Sequence, residues 1–262
     1  MGNQTRVERR AAVVAALLAM TACYGGGGQA ADTEASRDPQ TGAGESLARA
    51  STGVALSDDE VAEGWRLLFN GADLDGWRGY GLDRIPEGWS AVDGTLHFTP
   101  GLEGGDLLTV ERFTDFDLRL EWKLESGGNS GVFFHVVEDY GNAYESGPEM
   151  QVLDNVGHPD GRDPLTSNGS NFALHAPQFP ILRPVGQWNE IRVRVRGPRV
   201  EQWLNGGKVV EYDLWTDEWE ALVGASKFAD MPGYGRAREG HIDLQEHGDP
   251  VWYRNIRIRV LD

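Results

Sequence analysis

The chain has a single cysteine, Cys23, so no internal disulfide can form and the fold must be held by its own core. No apolar run approaches the roughly 20 residues that a permanent membrane helix needs. The run from Ala11 to Met20 has ten. Basic charge is scarce: 24 Lys and Arg stand against 41 Asp and Glu, a formal net charge of −17. Nucleic-acid binding needs a basic surface that displaces counterions from phosphates, so that class of partner is excluded. The acidic balance itself serves solubility. There is no phosphate-binding glycine loop, dinucleotide fingerprint or nucleophile elbow. Helical periodicity is almost missing too. Only Ser57 to Gly64 reads as helix, with Ser57 as cap and Glu60 three residues on.

What is present begins with a sorting signal. Arg6, Arg9 and Arg10 precede the apolar run, and small residues follow it at Met20-Thr21-Ala22-Cys23. Residues 1–23 therefore read as a lipoprotein signal with Cys23 as the lipidated residue, although Met20 stands where a lipobox usually has Leu. The alternative is a plain signal peptide cut nearby, which would leave a free thiol in an exported protein. The expectation is an exported protein anchored to a membrane through Cys23, periplasmic or on the cell surface. Residues 24–60 are rich in Gly, Ala, Ser, Thr and acids and read as a flexible tether. Residues 61–262 form one domain, and nine tryptophans in the chain supply ample apolar bulk for its core.

Within that domain the period is two. Asp117 to Leu124, Ile191 to Arg196 and Ile256 to Val260 alternate apolar and polar residues, the mark of strands with one buried face. Turn signals separate them at Asp93-Gly94, Gly127-Gly128-Asn129, Gly197-Pro198 and Asn205-Gly206-Gly207. Residues 188–214 read as a three-stranded meander. Many short strands with few helices predict a sandwich or a barrel. The passage ending in Trp203-Leu204-Asn205-Gly206 resembles the lectin/glucanase jelly roll and favours a sandwich with one concave sheet. The long stretches 155–187 and 225–240, rich in Gly and Pro, are candidates for functional loops.

Polar residues at strand spacing mark candidate sites. Glu149 and Gln151 share one strand face, with Met150 and Val152 on the other. His241, Asp243, Gln245 and His247 share a second face. His135 interrupts the apolar run Gly131 to Val136, and Arg119, Glu121 and Lys123 line a fourth strand. If these strands are neighbours, carboxylates, amides and imidazoles would pave one concave surface. An acid or imidazole in a strongly apolar strand is costly unless used, which singles out Glu149, Gln151 and His135. Arg119 and Lys123 read better as solvent-facing. His241 and His247 are too far apart along a strand to share one metal ion, so any divalent ion would need ligands from several strands. Trp122 and Trp252 read as core. Trp77, Trp89, Trp215 and Trp219 lie near turns, where one or two could stack on a sugar.

Several segments together resemble the 3-keto-disaccharide hydrolase family. They are Leu68-Phe69-Asn70-Gly71-Ala72-Asp73-Leu74-Asp75-Gly76-Trp77, Gly128-Asn129-Ser130-Gly131-Val132-Phe133-Phe134 and Glu149-Met150-Gln151-Val152-Leu153-Asp154-Asn155. Gly186-Gln187-Trp188-Asn189, Trp203-Leu204-Asn205-Gly206 and the stretch Leu244 to Ile256 complete the series in order, from about residue 64 to 262. Two positions depart from it: Glu246 stands where members usually read Asp, and His135 where they often read Arg. The resemblance implies an all-β, concanavalin A-like jelly-roll sandwich of two antiparallel sheets, one concave, in an exported enzyme acting on 3-keto-glycosides.

A ketone at C3 acidifies the proton on C2, so a glycosidic bond can break by proton abstraction and elimination, with water completing a net hydrolysis. Such a path needs a base, an enolate stabiliser and an acid for the leaving oxygen. Glu149 and His247 fill the acid and base roles in either order. Gln151, Gln245 and Asn129 would hold hydroxyls, Glu121 would add a further contact, and His135 or a divalent metal ion would polarise the ketone. Two other readings stand beside this one. One is a non-catalytic carbohydrate-binding domain. The other is a two-carboxylate endoglycosidase, which the Gln at position 151, two residues from Glu149, counts against.

Overall fold

The structure, a computed structural model, describes residues 54–262. The expected signal peptide, Cys23 and the tether as far as residue 53 lie outside these residues. The helix α1 (Asp58–Ala62) forms where its cap predicts. Ser57 Oγ accepts the Glu60 N–H at 3.2 Å, and the Glu60 carboxylate accepts the Ser57 N–H at 2.9 Å.

Strands then follow in order: β1 (Arg66–Leu67), β2 (Trp77–Gly79), β3 (Trp89–Val92), β4 (Thr95–Phe98), β5 (Leu107–Thr109), β6 (Phe116–Leu124) and β7 (Asn129–Val136). After them come β8 (Glu149–Leu153), β9 (Asn189–Arg196), β10 (Arg199–Leu204), β11 (Gly207–Asp213), the helix α2 (Asp217–Gly224), β12 (His241–Leu244) and β13 (Val251–Val260). One sheet has eight strands, in the order β11-β10-β9-β6-β13-β4-β3 with β1 also pairing β13. The other has five, β2-β5-β12-β7-β8. Every named pairing is antiparallel.

This is the two-sheet sandwich expected of the alternating segments. The inward residues of β6 (Phe116, Leu118, Leu120, Trp122, Leu124), β9 (Ile191, Val193, Val195) and β13 (Val251, Tyr253, Ile256, Ile258) are all buried in one core. From the five-stranded sheet, Val132, Phe134, Met150, Val152, Ile242 and Leu244 join them. The meander forms as β9-β10-β11, and Asn205 and Gly206 both take positive φ (47° and 85°) in its second turn. That left-handed pair turns the chain with the twist of the strands.

Two expectations fail here. α2 was not legible as a helix. Thr216 caps it by accepting the Trp219 N–H at 3.1 Å, and Asp217, Glu218 and Glu220 favour its positive end. Only Trp219 and Val223 are buried on it, too few to set a helical period. Trp252, expected in the core, instead faces outward from the eight-stranded sheet. It stacks on His97 at 4.6 Å and lies under the Lys123 ammonium. The period-two pattern of β13 predicts this once Val251 and Tyr253 are taken as the buried set.

Candidate active site

Strand register assembles the site on the face of the five-stranded sheet that points away from the core. One row across it runs Glu149 (β8), Phe133 (β7), Asp243 (β12), Leu108 (β5) and Arg78 (β2). The next row places Gln151 opposite Gly131, and the Gln245 N–H donates to the Gly131 carbonyl at 2.9 Å. Leu108, Phe133, Val136 and Ala143 make a small apolar cluster on this side, packed against Tyr80. Beside it opens a cavity of about 520 Å³, within the usual size range of ligand sites.

Five of the expected residues line this cavity: Glu149, Gln151, Asn129, Gln245 and His247. Glu149 is only 5% exposed, and its carboxyl accepts no hydrogen bond from any described residue. Burial pushes its pKa up to about 8; the Lys227 charge works against the rise, and Asp106 and Asp160 add to it. Space for the side chain comes from Gly131. A Cβ there would stand 2.9 Å from Glu149 Cδ and 3.0 Å from its Cγ.

The segment bearing Gln245 and His247 is tied down by its neighbours. Asp106 accepts the Glu246 N–H at 2.9 Å, and the Glu246 carboxylate accepts N–H groups from Gly105 (3.2 Å) and Gly248 (2.5 Å). Asp249 accepts the Asn129 N–H at 3.2 Å. His247 itself is exposed, with its ring edge-on to His158 at 6.3 Å. Beneath this floor Asp243 is wholly buried and neither carboxyl oxygen has a partner. Burial, then Asp106 and Glu149, push its pKa well above the ordinary carboxylate range. Burial also raises Asp106, to about 6, against the pull of the Glu246 N–H. At neutral pH Glu149 and Asp243 therefore hold their protons, while Asp106 is mostly ionised.

His135 does not reach the cavity. By period two it should share the face of Gly131 and Phe133, but β7 bulges against β12. Phe133 pairs with Asp243 and Val136 with His241, leaving two β7 residues opposite Ile242 alone. His135 takes φ 53°, its Nε2–H donates to the Thr114 carbonyl at 2.7 Å, and its ring packs edge-on to Phe116 and Phe134. Val136 takes its place on the cavity side. His241, opposite Val136, does not line the cavity either, and its Nδ1–H donates to the Thr109 carbonyl at 2.7 Å.

Glu121 also lies elsewhere. β6 belongs to the eight-stranded sheet, where Glu121 accepts from Arg254 (2.7 and 2.8 Å) and Asn255 (2.6 Å) on the outer face. The four turn-proximal tryptophans, Trp77, Trp89, Trp215 and Trp219, pack in or against the core and do not line the cavity.

Sequence reasoning missed Asp106, Asp160, Tyr144, Phe172 and Lys227, which also line the cavity. Asp160, Phe172 and Lys227 come from the two long irregular stretches, where loop length was the available signal. Among the described residues no three His, Cys, Asp or Glu stand close enough to hold a metal ion.

The sequence profile of 3-keto-alpha-glucoside-1,2-lyase-like domains matches residues 64–259. A 3-keto-disaccharide hydrolase of Bacteroides thetaiotaomicron is 38% identical over 231 residues, covering 77% of this chain and 80% of the relative. A crystal structure from Parabacteroides distasonis, described as a glycosyl hydrolase, superposes with a TM-score of 0.75 at 31% identity, covering 80% of this chain and 99% of the other. A second from that organism, described in the same way, gives 0.60 at 28% identity over 75% of this chain and 99% of its own.

Proposed function

This chain belongs to the family of 3-keto-alpha-glucoside-1,2-lyase-like domains, and from that premise we propose that it cleaves 3-keto-glycosides by elimination across C1 and C2. The observation that carries the reading is Glu149, a buried carboxyl with no hydrogen-bond donor, open to a cavity lined by the amides of Asn129, Gln151 and Gln245. A carboxyl whose pKa is raised to about 8 stays protonated at neutral pH and can donate.

The chemistry is balanced as follows. The C3 ketone makes the C2 proton acidic, and His247 removes it. The C2–H electron pair enters the enolate, which collapses to re-form the ketone and a C1–C2 double bond. The C1–O bond breaks, and Glu149 gives its proton to the departing oxygen. The products are the free aglycone and an unsaturated 3-keto sugar. Water added across that double bond yields the 3-keto sugar, a net hydrolysis, so the lyase and hydrolase names of the relatives fit one path. In an α-glucoside the C2–H and C1–O bonds lie on opposite ring faces. The acid comes from a floor strand and the base from the loop after β12, so two separate elements are available to flank the sugar.

The assignment has a pH signature. Because Glu149 must be protonated, the rate should fall above about pH 8, approaching tenfold per unit. A pH–rate profile on a 3-keto-α-glucoside tests this. A rate that instead rises through pH 8 would make Glu149 the base and overturn the assignment.

The same proposal includes export and a lipid anchor at Cys23, supported by the basic start, the apolar run and the Thr21-Ala22-Cys23 site. The expected outcome is that Cys23→Ser moves the protein from the membrane fraction to the soluble one. Unchanged membrane association would remove the anchor from the account.

A further inference from the structure

An enolate needs a positive partner, and this cavity is short of them. Its titratable lining is mostly acidic: Asp106, Glu149, Asp160 and Glu246. Asp106, its pKa about 6, is mostly ionised at neutral pH, and a negative oxygen forming near it would be repelled. Among the described lining residues Lys227 is the one lysine or arginine. It forms no ion pair with any described carboxylate, in a chain with 41 acidic residues. Instead its ammonium lies over two rings, 4.3 Å from the centre of Phe172 and 5.2 Å from that of Phe228. A cation held by ring faces keeps its N–H donors unspent.

The platform is fixed to the acid it faces. The Phe172 N–H donates to the Glu149 carbonyl at 3.0 Å, so one ring hangs from the residue that bears the carboxyl. Phe228 stacks on Tyr234 at 3.8 Å, and Tyr234 stacks on Trp219 at 6.0 Å, within 9° of parallel in each case. Lys227 thereby has a set position relative to Glu149, and its charge is felt there. Neither Phe172 nor Phe228 needs to touch the sugar for this to operate.

Resting on the keto-glycoside reading above, we propose that Lys227 is the electrophile of the site, its ammonium binding the C3 oxygen and stabilising the charge that gathers there as the C2 proton leaves. No proton moves from Lys227. The C2–H pair becomes the C2–C3 double bond of the enolate, the carbonyl pair moves onto the C3 oxygen, and the base holds the proton. The amides of Asn129, Gln151 and Gln245 are then free to hold hydroxyls.

The test separates enolisation from cleavage. A 3-keto-1,5-anhydro sugar has no leaving group at C1, so it can only exchange its C2 proton with solvent. NMR in D2O would follow that exchange with the full chain and its Lys227→Met and Lys227→Arg variants. Losing one oxyanion donor typically costs about 10²–10³-fold. Lys227→Met should therefore slow both exchange and kcat on a 3-keto-disaccharide by about 10²-fold or more, with KM within about threefold. Lys227→Arg, which keeps the charge, should recover much of the loss. Lys227→Met exchanging within about threefold of wild type would overturn the proposal, as would equal loss in both variants with melting temperatures unchanged. If the wild-type chain catalyses neither exchange nor cleavage, the keto-glycoside reading fails first and the role of Lys227 falls with it.

Discussion

Glu149→Gln is expected to cut turnover of a 3-keto-disaccharide by about 10²–10⁴-fold, the usual range for a general acid or base, while leaving the protein folded and more stable at alkaline pH. Glutamine has nearly the same shape, so the packing against Phe133 and Gly131 survives. The stability change follows from linkage. The Glu149 pKa is about 8 in the fold and about 4.5 in an unfolded chain. Between those values the folded state holds a proton that the unfolded state has released, so wild-type stability falls as pH rises from about 4.5 through about 8. Glutamine does not titrate and loses nothing. The variant should melt with the wild type near pH 4 and above it by pH 9, by an amount on the order of a few kcal/mol at about 1.4 kcal/mol per pKa unit. Thermal melts across that range check the sign. A difference that does not grow with pH would mean that Glu149 is ordinarily ionised, and a variant retaining more than about a tenth of kcat would remove it from the chemistry.

Gly131→Ala carries the second large effect, through the same carboxyl. Gly131 lies in regular β7, opposite Gln151 and accepting from the Gln245 N–H, so alanine suits its backbone. What it lacks is room. The new methyl would meet Glu149 Cδ at 2.9 Å and Cγ at 3.0 Å, and its Oε1 closer still. Overpacking of this kind typically costs about 1–3 kcal/mol, and here the easiest relief is for the Glu149 side chain to swing out of its place. The expected result is a folded protein with kcat reduced by about 10²-fold, since small misplacements of a catalytic group have costs of that order. A double-mutant cycle makes the claim specific. If Gly131→Ala acts by moving Glu149, adding it to Glu149→Gln should cost almost nothing further. Full additivity of the two losses would show that Gly131 serves some other purpose.

Period two had singled out Glu149 but not Gly131, which meets it only through the pairing of β7 with β8, and this marks how far the sequence could be read. Alternation identified β6, β9 and β13, and it paired Glu149 with Gln151 on one face because a pleated strand leaves no other arrangement. It could not say which sheet a strand joins. Glu121 sits on a strand as regular as β8, yet β6 is in the opposite sheet, and its carboxylate is taken up by Arg254 and Asn255. Nor could alternation foresee an interruption. One bulge between Phe133 and Val136 turns His135 toward Phe116 and puts Val136 instead in the apolar cluster beside the cavity. Lys227 had no signal beyond the length of the irregular stretch that carries it. Its significance comes from Phe172 and Phe228, which are distant in sequence and meet only through the loops. The family segments identified the family and the sandwich, because they carry the order of strands and loops together.

The most direct test of the account is a matched pair of substrates: a 3-keto-disaccharide and its unoxidised parent, incubated separately with the full chain while release of the aglycone is followed. The account expects release from the keto sugar alone, because only a C3 carbonyl makes the C2 proton removable. Release from the parent at a similar rate would point to ordinary glycosidase chemistry, and binding of both without release would leave a carbohydrate-binding domain; either result contradicts it.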